Sequence, residues 1–313
     1  MSAHSVEKIA DAVLYEGYLL YPYRPSAVKN RQRWNFGLVY PRAYSEMAGG
    51  VEPCEMETQC LALGGPASVL ATKVRCLRLV ERLGESWQEA AECEMSLPDV
   101  RFAELEASPA RRQFSFPATR TVAGEVVRTQ EPLQCSVETS LEKIGAGLVR
   151  IAVRISNQTP FTVRPDDRRE RVLASSLLSA HTILRVSDGE FVSLLEPPPQ
   201  FQEAAAACRN TGTWPVLAGE PGALDTMLSS PIILYDYPQV APESPGDLFD
   251  GAEIDEILSL RILTLTDEEK DALRRGDERA RQILERTETL PPEHFMKLHG
   301  ALRSPRPAER EAS

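Results

Sequence analysis

The sequence predicts an α+β protein built mainly on antiparallel β-sheet, sandwich-like, with an N-terminal helix and a C-terminal helical appendage. Three observations carry that reading: period-two alternation of apolar and polar residues in several short runs, glycine-bearing turns between them, and no regular alternation of strand with helix. The last of these excludes a doubly wound parallel sheet.

Residues 5–16 predict a helix, with Ile9 and Val13 one turn apart and Gly17 placed to stop it. Strands are expected over 59–63, 72–80, 92–97 and 113–116. The clearest unit runs from Leu133 to Glu142 and, after Ile144-Gly145-Ala146-Gly147, from Val149 to Ile155: two alternating arms around a glycine turn, hence a hairpin with one buried face. Its outer face sets Glu138 and Glu142 near Arg150. Short helical pieces are expected over 168–180 and 200–209, a second hairpin from 182–186 and 191–195 around Ser187-Asp188-Gly189-Glu190, and a strand over 231–237. Beyond a strand at 257–265, Thr266-Asp267-Glu268-Glu269 has the form of a capping box and opens helices as far as 302. The proline-bearing polar tail 303–313 has nothing to bury, so disorder is expected there. The expected organisation is a β domain over 1–265 with a sub-boundary near 160–170, then helices over 266–302, then the tail.

A chain of 313 residues with net charge −11, 42% hydrophobic and 26% charged residues can bury a substantial core. No apolar run reaches the roughly 20 residues of a membrane helix, and the N-terminus lacks the basic start of a signal peptide, so no membrane insertion and a cytoplasmic location are expected. The six cysteines are spread through a long chain, which predicts reduced thiols, with Cys76, Cys93 and Cys135 acting as small buried hydrophobes.

Residues 15–44 hold six of the eight tyrosines together with Trp34, Phe36, five basic residues and a single acid, Glu16. Within it Tyr18, Tyr21, Tyr23, Arg24, Lys29, Arg31, Arg33 and Trp34 are the candidate binding residues. Guanidinium forks hold carboxylate or phosphate and stack on rings, and aromatic and Arg side chains dominate protein-binding hot spots. The competing expectation is that the same side chains cover a core edge and pair internally. Five positive charges on an acidic chain are too few for nucleic acid.

The other candidates are weaker. The stretch 242–260 has Glu243, Asp247, Asp250, Glu253, Asp255 and Glu256 and no Lys or Arg, but not the ligand spacing of an EF-hand, and reads as a solvated acidic loop. Cys54 and Cys60 lack zinc-knuckle spacing. His294 and His299 lie five apart, off a common helix face. His181 follows Ser175, Ser176 and Ser179 without a nucleophile elbow. No metal, cofactor or catalytic set is expected.

The run Tyr15-Glu16-Gly17-Tyr18-Leu19-Leu20-Tyr21-Pro22-Tyr23-Arg24, then Lys29-Asn30 and Arg33-Trp34-Asn35-Phe36-Gly37, together with 257–270 near the other end, resembles an uncharacterised bacterial family associated with [NiFe]-hydrogenase gene clusters. The resemblance implies a non-catalytic accessory role in assembly or maturation of a hydrogenase. The partner would be a hydrogenase subunit or maturation factor, and a homo-oligomer is compatible with that role. The alternative is an enzyme or small-ligand binder holding an anion with Arg24, Lys29, Arg31 and Arg33, and using Glu16 as acid or base.

Overall fold

In the computed structural model the described residues are 2–14, 34–83, 88–124, 126–164, 167–239, and the single positions 270, 274, 281 and 285. They form an α+β fold that is mainly antiparallel sheet. The chain divides into two compact units, Met1–Val240 and Ala241–Ser313. In the second, the four described residues are helical and Arg281 faces Glu285 at 4.0 Å, one turn on. The strand expected at 257–265, the capping box at 266–269 and the tail lie outside the described residues.

The first unit is organised by two long strands. β1 (Glu55–Arg82) absorbs both the 59–63 and the 72–80 runs. β9 (Leu178–Val192) likewise absorbs the first arm, 182–186, and the start of the second, 191–195, of the hairpin expected around Ser187–Glu190. That second hairpin does not form. Its residues pair with β1 instead, Leu63↔Glu190 and Gly64↔Gly189 on one side of a register shift and Val69↔Ser187 onward on the other. The two glycines meet at this shift, where neither has room for a side chain. A Cβ on Gly64 would lie 2.6 Å from the Phe102 ring, and one on Gly189 would lie 2.7 Å from the Leu63 carbonyl. Strands that shift together can serve both halves of one sheet, which local turn chemistry alone does not reveal.

The N-terminal half of β1 pairs with β8 (Leu148–Asn157), which pairs with β7 (Leu133–Lys143) and then β4 (Ala110–Phe116). Its C-terminal half pairs with β2 (Gln88–Ser96) and briefly with β3 (Val100–Arg101), while β9 leads on to β11 (Thr226–Ser230) and the edge strand β10 (Trp214–Leu217). The predicted hairpin over 133–155 is therefore present as β7–β8, with Arg150 Nη1 donating to Glu142 Oε2 at 2.8 Å. The core collects one face from each half: Met56, Cys60 and Ala62 with Ile151 and Val153, and Leu70, Val74 and Cys76 with Met95 and Leu184. Cys135 Sγ on β7 lies 3.1 Å from Met95 Sδ on β2, so the two halves meet through their apolar faces. Each such Leu or Ile contributes about 1.5–3 kcal/mol on burial.

Cys76 and Cys93 stand directly opposite each other on β1 and β2 with Cα atoms 5.4 Å apart, and are joined as a disulfide. This corrects the expectation that both are reduced. Their cross-strand register, not their spacing in the sequence, brings them together.

β5 (Thr119–Ala123) pairs with β6 (Val126–Gln130). The pairing keeps the register of β4 with β7, so Ala110↔Thr139 through Ala123↔Val126 is one ribbon, interrupted only at Pro117–Ala118 and Glu131–Pro132. Arg78 of β1 holds that interruption, donating from Nη2 to the carbonyls of Pro117 (3.1 Å) and Glu131 (2.9 Å).

The helices are short apart from α1 (Ser2–Leu14), whose Val6, Ile9, Ala10 and Val13 pack on Ile183, Ala218 and Leu228. α2 (Arg42–Met47) and α3 (Phe102–Ala107) follow, and α3 buries Phe102 and Leu105. The helix expected over 168–180 shrinks to α4 (Arg169–Ala174), because the residues from Leu178 join β9, and that over 200–209 shrinks to α5 (Gln202–Ala206). Residues 231–239 form no strand; they run as a strap held by Asp236, which accepts from Ser193 Oγ at 2.5 Å and from the Leu217 amide at 2.7 Å. Among the described residues no helix is long and apolar enough to cross a membrane.

Candidate protein-binding surface

Tyr18, Tyr21, Tyr23, Arg24, Lys29, Arg31 and Arg33 lie outside the described residues. Trp34 is described, and it is 4% exposed with φ 62°. Its carbonyl accepts from Arg169 Nη2 at 2.8 Å, and the same nitrogen donates to Asn35 Oδ1 at 2.9 Å. A buried ring in a left-handed backbone conformation is part of the scaffold.

What the structure adds is the way both flanks of 15–33 are fastened. On the N-terminal side the carbonyl of Val13, in the last turn of α1, accepts from Ser179 Oγ at 2.9 Å. On the C-terminal side the Ser179 amide donates to the Phe36 carbonyl at 3.0 Å, and the Ala180 amide donates to the Gly37 carbonyl at 3.0 Å. One residue, Ser179, therefore closes the stem from both ends. The ladder continues between Val39 and Leu177, and Asn157 Nδ2 donates to the carbonyls of Val39 and Ser175, both at 2.9 Å.

Ser179 can do this because it leaves the strand geometry. Leu77↔Leu178 and Arg75↔His181 leave one residue too many on β9, a bulge, and Ser179 takes φ 51° there. The bulge turns its amide and hydroxyl away from β1 and toward the incoming chain. Gly37 answers with φ 57°, and a Cβ there would lie 2.6 Å from the Ala180 nitrogen. The Ser179 carbonyl accepts from His181 Nδ1 at 3.0 Å.

That contact assigns the histidine. Nδ1 carries the proton, so Nε2 is a bare acceptor; it is buried and has no hydrogen-bond partner among the described residues. Burial pushes the His181 pKa down to about 4, and the Arg75 guanidinium pushes the same way, while the Ser179 carbonyl and Glu92 oppose them. His181 is thus a neutral brace for the bulge.

Arg75, beside it, ties α1 to the sheet. It donates to Asp11 at 2.7 Å, to Glu7 at 3.4 Å and to Glu92 of β2 at 3.2 Å, and Lys73 reaches Glu7 at 3.3 Å and Glu94 at 3.4 Å. Glu7 and Asp11 are one helical turn apart, so both face the two cations.

The arrangement fastens Val13 on one side and Phe36 and Gly37 on the other to β9. Among the described residues no group of three or more His, Cys, Asp or Glu is placed to bind a metal ion. Of the serines near His181 in sequence, Ser179 meets it through its carbonyl, while Ser179 Oγ is committed to Val13 and Ser176 Oγ to the Val172 carbonyl. Sequence reasoning missed the role of Ser179, since nothing local distinguishes a bulge serine from its neighbours. No protein-family model matches this chain, and no curated protein matches it.

Proposed function

We propose that this chain is a non-catalytic, protein-binding accessory protein that works through the Tyr- and Arg-rich segment 15–33, in support of the assembly or maturation of a [NiFe] hydrogenase. The observation that carries the reading is the closure of that segment's two flanks on Ser179. Binding residues concentrate on loops that a rigid framework positions, and a stem fastened to a central strand is such a framework. The hydrogenase setting comes from the sequence resemblance.

The test is affinity capture from the native cell with wild-type bait beside a Tyr23→Ala/Arg24→Ala bait. The expected result is a hydrogenase subunit or maturation factor retained by the first and lost from the second, with both baits melting at the same temperature. Hydrogenase components on neither bait, or equally on both, would overturn the reading. Trp34→Ala is the structural control: it empties a buried site and costs about 3–5 kcal/mol of stability, so any loss of capture on it reports folding.

A further inference from the structure

The distal ribbon strand β5 is exposed along its whole length: Thr119, Arg120, Thr121, Val122 and Ala123 are all open to solvent, Val122 at 59%. β5 pairs with β6 and with no other strand among the described residues. Its backbone can be accounted for group by group. The Val127 carbonyl accepts from the Leu83 amide, so in β6 the odd residues face β1, and residues 126, 128 and 130 face β5. Their partners Ala123, Thr121 and Thr119 therefore spend their N–H and C=O groups on β6. The N–H and C=O groups of Arg120 and Val122 point to the open edge.

The charge on that strand and on the run leading into it has one sign. From Ser108 to Gly124 the sequence holds Arg111, Arg112 and Arg120 and no acidic residue, in a chain of net charge −11. Arg112 lies over the Phe114 ring and donates to the neutral Ser96 carbonyl. Arg111 is 3.9 Å from Glu138, at the limit of an ion pair. Arg120 makes no ion pair among the described residues. A second copy of this chain fits poorly here: the edge would bring two such arginine sets together, and five residues bury far less than the ~1,200 Å² a stable dimer needs.

We propose that the open edge of β5 receives an extended, acidic segment of a partner protein as an added strand. The backbone groups of Arg120 and Val122 pair with the incoming main chain, and the arginines select carboxylates on it. No residue of segment 15–33 takes part in it.

The test uses the full chain and a fluorescein-labelled probe, acetyl-Glu-Thr-Glu-Val-Asp-Val-Glu-amide, read by anisotropy. Wild type is expected to bind it saturably, and a probe with Lys at every acidic position at least about tenfold more weakly. Val122→Pro removes an N–H that β6 does not use, and Arg120→Glu reverses the free charge; each is expected to weaken binding at least about tenfold. Arg120 is exposed, so its variant keeps the test decisive if the proline variant misfolds. No saturable binding, equal binding of both probes, or full affinity in a folded Val122→Pro or Arg120→Glu protein would overturn the proposal. So would sedimentation showing a dimer that Val122→Pro dissolves, since the edge would then belong to a second copy.

Discussion

The stem at Ser179 and the tip of the β5–β6 ribbon are held in opposite ways. At the stem Ser179 uses its amide, hydroxyl and carbonyl at once, on Phe36, Val13 and His181, in a fully buried setting. At the tip every residue of β5 is exposed, and its contacts run to β6 alone among the described strands. Buried polar groups are costly when left unpaired, so the stem is sensitive to single atoms. An exposed ladder has water as its alternative partner, so the tip tolerates change and keeps backbone groups available.

The comparison breaks most visibly at Gly37. Gly37→Val would drive a Cβ to 2.6 Å from the Ala180 nitrogen in a left-handed conformation, and we expect a loss of upwards of about 4 kcal/mol, or failure to fold, in urea denaturation. A variant as stable as wild type would show that the stem is not the rigid part.

Acid should act on the stem next. The unfolded chain protonates its histidine near pH 6.5, while His181 in the folded state resists until about 4. Its contribution is intact above pH 6.5, declines as the pH falls toward 4 and is spent below that. The expected cost is about 3 kcal/mol in all. Denaturation of wild type beside His181→Leu at pH 7 and pH 4.5 measures it, and parallel acid limbs in the two proteins would remove His181 as the cause.

The smallest effect is expected at the tip. Val122→Ser should change stability by no more than about 0.5 kcal/mol, because the side chain is exposed and the β6 ladder is untouched. A loss several times larger would mean the ribbon tip is built into the fold after all.

Much of the fold was legible locally. The alternation of 133–142 and 149–155 named a hairpin with its buried face and its Glu142–Arg150 pair, and Ile9 and Val13 named the helix that packs on the sheet. Where local signals misled, a distant partner had overruled them. Ser187-Asp188-Gly189-Glu190 has turn chemistry, yet β1 takes its residues into a longer strand, and 231–237 has strand composition, yet Asp236 ties it down as a strap. For the candidate site, sequence marked Trp34 as a contact residue, whereas its burial marks it as a support.

Composition and periodicity, which need only neighbours in the chain, were enough to determine a mainly antiparallel sheet, its first helix and the concentration of rings and guanidinium groups in 15–33. Tertiary structure alone decided the Cys76–Cys93 bridge, the bulge at Ser179 and the open edge of β5. Each depends on which strand lies opposite which, and that register is set by how residues far apart in the chain share one core.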